Sequence, residues 1–282
     1  MPVPMDSAEN LLPFSRNWCR LDHRAGARGG SSVSVELARI KLRGVYAAVA
    51  GVILLLALLV YQPAVLGPMG YTAAVNAAAG PQSFGPYLAW LGEHGSENRA
   101  LRLIEVVVFI LAATLPQQLR RVLWPADPRA GRWAAFLGQV GFALYALVLV
   151  LGLFTSTGAA AAYAEAPNAA AQAAVVRDFA TSFSIETLLS RVLGGALVAV
   201  FLLVTGIRLL ETRVLPVWLA YLGILTAALL AATAVLSALA PAAPQAPTSG
   251  LAFLVLAVWL IAVGVVLARL RALPDAGPAP TE

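Results

Sequence analysis

Long apolar runs alternate along this chain with short segments that hold nearly all of its charge, and the length of those runs predicts the architecture. A helix needs about 20 mainly apolar residues to cross roughly 30 Å of hydrocarbon. Six stretches meet that requirement, at 45–66, 101–119, 133–154, 185–210, 215–239 and 251–267. The first carries the uncharged run GVILLLALLVY, and the last two are separated by APAAPQAPTSG, whose prolines cannot continue a helix. The second is the least regular, with Glu105 near its start and Pro116 near its end. Its middle, VVVFILAATL, is too apolar to leave in water, so it is expected to span with a kink at the proline.

The polar segments then set the orientation. Cytoplasmic loops carry an excess of Lys and Arg. With six spans and the N-terminus inside, fifteen basic residues fall on the inner side; Arg99, Arg102, Arg177 and Arg191 fall on the outer side. The expected fold is all-α, a six-helix transmembrane bundle over residues 34–271 with N- and C-termini cytoplasmic. Residues 1–33 mix prolines, glycines and scattered charges without a period and are expected to form a disordered cytoplasmic tail; residues 272–282 form a short second tail. The expected location is the prokaryotic plasma (inner) membrane, with the protein passing through it several times.

Two long outer loops remain. One contains FGPYLAWLGEH, where Tyr87 and Trp90 suit a short helix at the membrane surface; the other places Val176, Phe179 and Phe183 at helical spacing ahead of the fourth span. Both fit either interfacial helices or ordered caps over the bundle, and the rule that apolar stripes mostly pack favours caps.

Composition agrees with a membrane domain: 60% of the 282 residues are apolar and 12% charged, against about 25% charged in soluble domains. The net charge of +5 does not point to nucleic acid, because the basic residues lie between apolar runs rather than in one patch. The partners expected are the lipid bilayer and a membrane-protein partner. A single cysteine, Cys19, excludes an intrachain disulfide.

Candidate chemistry is sparse. The two histidines, His23 and His94, lie outside the spans, which excludes a bis-histidine haem in the bilayer and a serine–histidine intramembrane protease. No span contains an aspartate, and no HExxH motif, P-loop or dinucleotide fingerprint occurs. No catalytic residue, metal ligand or cofactor is therefore assigned, and the protein is not expected to be an enzyme. Ionisable residues at membrane depth are functional candidates by default. Glu105 lies about one turn into the second span and Arg191 about one turn into the fourth, and both spans run from outside to inside. The two share a depth and form a candidate intramembrane polar pair, either structural at the bundle rim or part of an outward-facing cavity. Gln139 and Thr205 are the other notable polar residues in spans three and four; Gly138, Gly141, Gly194, Gly195, Ala199, Gly223, Ala227 and Ala231 have spacings that suit close helix contact.

Between spans four and five the chain reads GIRLLETRVLPVWLAYLGILTAA. This resembles the signature of an uncharacterised bacterial multi-pass family, domain of unknown function 4386, with Arg213, Pro216, Trp218, Leu219 and Gly223 carrying the match. The resemblance implies a multi-pass architecture and brings no catalytic residues; the long N-terminal tail departs from it. Physically, Pro216 suits the first turn of a helix, Arg213 the headgroups and Trp218 the interface. Two functions follow as expectations: a noncatalytic accessory or partner-binding membrane protein, or a small-solute or ion transporter or channel with a polar site near Glu105 and Arg191.

Overall fold

The computed structural model describes residues 18–78, 83–125, 127–240 and 249–271; the reading of residues 1–17 and 272–282 as tails lies outside the described residues. Among the described residues the chain is all-helical, and six helical stretches are long and apolar enough to cross a membrane: Ser34–Leu66, Gly95–Leu123, Pro128–Glu165, Ala169–Thr212, Val217–Leu239 and Ser249–Ala268. All six predicted stretches are found. Helix α1 (Trp18–Leu56) begins within the segment read as a disordered tail, so residues 18–33 are helical here. No proline interrupts the chain between Pro13 and Pro63, and glycine in a helix interior costs only about 1 kcal/mol relative to alanine.

Two spans contain wide turns. The first passes from α1 into a π-helical segment, Ala57–Leu66, which accommodates Pro63. In the fourth, α7 (Ala169–Thr187) continues through a second π-helical segment, Leu188–Gly194, into α8 (Gly195–Thr212). The kink predicted in the second span is present: α4 (Gly95–Ala112) stops, and α5 (Leu115–Leu123) restarts with Pro116 in its first turn. There the missing N–H leaves no helical bond unmade.

Glycines set the closest approaches between helices. α1 and α10 (Ser249–Ala268) run antiparallel: a Cβ on Gly264 would stand 2.5 Å from the backbone of Gly44 and Ala48, and one on Gly51 would stand 2.5 Å from the Ala257 carbonyl oxygen. Both ends of the described chain therefore lie at one face of the bundle. Gly138 and Gly141 of α6 (Pro128–Glu165) seat Phe201 and Val198 of α8 in the same way. Ala199 and Ala227 are buried as the spacing predicts, but Ala231 is exposed, on the outer face of α9 (Val217–Leu239).

At the far face, which we call distal, the two long loops form a cap. At 38 residues α6 is about 57 Å long, so it projects well beyond the bilayer together with the start of α7. Against this projection packs α3 (Gly85–Glu93), on which α2 (Tyr71–Ala77) sits in turn. Phe84 meets Phe179 and Phe183 at 5.2 Å each, and the Trp90 Nε1–H donates to the Met69 carbonyl at 2.7 Å. Tyr87 and Trp90 are buried in this cluster, so they serve as an ordered cap and not as anchors at a lipid surface.

Candidate functional site: a charged cavity under the cap

Below the cap, where α4, α6, the α7–α8 span and α10 diverge, lies a cavity of about 210 Å³. Counting about 20 residues of bilayer up from Arg208 on the α7–α8 span reaches the level of Leu188, so the cavity sits at the distal rim of the hydrocarbon. Its charged lining is Arg102 and Glu105 from α4, Glu186 from the end of α7, and Arg191 from the second π segment. The first π segment contributes Leu58 and Gln62, and the cap contributes Tyr71, Val75 and Tyr87. Aromatic walls complete it: Phe109, Tyr145, Phe179, Phe183 and Phe253.

The polar lining has an internal order. Glu105 pairs with Arg102, one helical turn earlier on the same helix, at 3.2 Å, and the Arg102 guanidinium also hydrogen-bonds the Tyr87 hydroxyl. The expected partner of Glu105, Arg191, lines the same cavity within its electrostatic reach, so the shared depth is present while the close ion pair is local to α4. An i,i+3 spacing puts two side chains on one helix face, which favours the local partner. Across the cavity the Glu186 carboxylate accepts the Thr155 hydroxyl, and the Ser190 hydroxyl donates to the Glu186 carbonyl.

Both π segments border the cavity, and π turns occur frequently at functional sites. The second contains Arg191, and Glu186 lies two residues before that segment begins, at the end of α7; both line the cavity. Glycines make room as well: a Cβ on Gly152 would stand 2.9 Å from a Glu186 carboxylate oxygen, and one on Gly195 would stand 3.0 Å from the Tyr145 hydroxyl. In the cap, burial raises Tyr71 and Tyr87 above the ordinary phenol range near 10, so both hydroxyls stay protonated.

The other polar residues singled out from the sequence lie elsewhere. Gln139 accepts from Gln117 at 2.7 Å, and Thr205 is buried in the main core; neither lines the cavity. The motif between spans four and five is a connection at the face that holds the chain ends. Arg213, at φ +50°, closes α8 through a bond from its N–H to the Leu209 carbonyl, in the left-handed conformation common just past a helix end. Pro216 caps α9 one residue ahead of its first turn, Trp218 is exposed, Leu219 is buried, and Gly223 faces the Trp259 ring nitrogen.

Fold and site together define a multi-pass helical membrane protein with a charged cavity sunk into one end. Within that class the chain belongs to the family described as domain of unknown function 4386, whose model matches residues 49–264 and so takes in every residue that lines the cavity. No curated protein and no solved structure matches the chain.

Proposed function

We propose that this is a noncatalytic multi-pass protein of the prokaryotic plasma membrane that holds a small solute in the distal cavity, with the cavity facing the outside and both termini in the cytoplasm. The orientation rests on the excess of basic residues at the face that holds the chain ends. The observation that carries the function is the convergence of Arg102, Glu105, Glu186 and Arg191 on one cavity roofed by aromatic residues. Ionisable groups at membrane depth are expensive, and a rigid apolar pocket with a few placed polar groups is the usual form of a small-molecule site. A cavity of about 210 Å³ with a charged and aromatic lining has room for a small solute. At the distal loops this favours the small-solute alternative over the accessory, partner-binding one, because their aromatic residues Tyr87 and Trp90 are buried rather than turned outward.

The test uses cysteines placed singly in a background where Cys19 is replaced by serine. A cysteine replacing Ser190, in the cavity, should react with a small hydrophilic thiol reagent applied outside intact cells. One replacing Ser237, in the packed core of α9, should not. Protection of the first position during labelling by residence of a solute would further support the reading. No labelling at position 190 from the outside would overturn it.

A further inference from the structure

We infer that the cavity selects a small zwitterion, a molecule with an ammonium and a carboxylate on one apolar frame, with the ammonium toward Glu186 and the carboxylate toward Arg191. This rests on the solute-binding reading above and names its substrate class.

The first ground is charge balance. The cavity is lined by two carboxylates and two guanidinium groups, so its fixed charge is zero. A ligand with a net charge would leave that charge uncompensated in a poorly hydrated site, whereas a zwitterion would not. The second ground is how the four charges are arranged. Arg102 and Glu105 already satisfy each other at 3.2 Å and need no ligand. Glu186 is different: among the described residues it enters no ion pair, and the Thr155 hydroxyl is the hydrogen-bond partner of its carboxylate. A buried carboxylate held by one hydroxyl has acceptor capacity left for an ammonium. Phe179, Phe183 and Tyr145 border the same space and offer ring faces that attract a cation.

The third ground is that Glu186 and Arg191, opposite in charge, line one cavity and share its aromatic wall. Arg191 has a protein neighbour of its own, but a guanidinium carries five N–H donors and can hold a carboxylate in addition. Gly152 is then a specificity-determining position, because its missing side chain is what admits the Glu186 carboxylate.

The experiment measures thermal stability of the purified full chain in detergent with matched sets of probes that share a frame and differ in charge. The sets are butylamine, butyrate and 4-aminobutyrate; isoamylamine, 4-methylpentanoate and leucine; and phenethylamine, 3-phenylpropanoate and phenylalanine. In at least one set the zwitterion should raise Tm by several degrees at millimolar concentration, with the amine and the acid inactive. Glu186→Gln and Arg191→Gln should each weaken that zwitterion at least tenfold. Gly152→Ala, which keeps every charge and serves if either variant fails to accumulate, should weaken it as well. Protection by an amine or an acid as strong as by the zwitterion overturns the class while leaving the solute site standing. Protection by none of the nine probes also overturns the class, and labelling at position 190 then reports separately whether the solute-site reading survives.

Discussion

Replacing Glu105 by glutamine separates two electrostatic arrangements that share the same depth. The carboxylate stands 3.2 Å from the Arg102 guanidinium, and the side chains are 16% and 29% exposed. At an effective dielectric of about 20 the gross attraction over that distance is ~5 kcal/mol. Desolvation of both charges opposes most of it, and removing one partner of a buried pair costs roughly 3–5 kcal/mol because the other charge is stranded. Arg102 keeps Tyr87, and glutamine still accepts a hydrogen bond, so the lower end applies and Glu105→Gln should cost about 3 kcal/mol. A double-mutant cycle with Arg102→Met should then return a coupling of about 2 kcal/mol, and the cycle of Glu105→Gln with Arg191→Met should return less than about 1 kcal/mol. Reversible unfolding of the reconstituted protein, titrated with denaturing detergent, supplies the free energies. Additive effects at Arg102 and Glu105, with strong coupling between Glu105 and Arg191, would refute this assignment of the pair.

Three further outcomes follow from the fold. Gly264→Ala should destabilise by about 3 kcal/mol, because its Cβ meets backbone atoms of α1 at 2.5 Å and neither helix can yield locally. Gly158→Ala, with nothing within 4 Å, should be neutral or stabilising by up to about 1 kcal/mol; equal effects in the same unfolding assay would contradict the close seam. The raised Tyr71 and Tyr87 stabilise the folded state below the ordinary phenol value of 10.0, and that contribution is lost as pH climbs above it. Stability should therefore fall above about pH 10, and Tyr71 and Tyr87 should be among those of the seven tyrosines that ionise only as the protein unfolds in an ultraviolet titration; normal titration of both would show the cap to be open. Finally, single cysteines at Glu93 and Ala170 should react with an impermeant reagent in intact cells and one at Arg129 should not; labelling at 129 would reverse the orientation.

The spans were legible because length and apolarity alone decide what crosses hydrocarbon, and Pro116 was legible as a kink because its ring forbids a continuous helix. The common depth of Glu105 and Arg191 also follows from counting residues along two helices that run the same way. What counting does not supply is rotation about each axis. Arg102 sits three residues before Glu105, a spacing that announces their pair, yet near a helix end it looks like a loop charge. Glu186 and Arg191 are five apart, which on an α-helix separates them, yet both line the cavity, Arg191 from within the π segment. Nothing in the local pattern LLSRVLG signals that turn. Tyr71, Tyr87 and Tyr145 reach the cavity through tertiary folding of the cap and packing of α6. Ala231 shows the same limit from the other side, since its spacing suits a seam while its helix face points away from one.

A solute held in the distal cavity should leave the membrane with the protein and can be sought there. Wild-type protein and a Ser156→Phe variant, which fills the cavity while leaving its four charges in place, would be purified from native membranes in parallel. Their small-molecule contents would then be compared by mass spectrometry after denaturation. Occupancy of the distal cavity by a solute predicts a small compound enriched with the wild type and absent from the folded variant. Identical small-molecule contents in the two, with the variant as stable as the wild type, would contradict it.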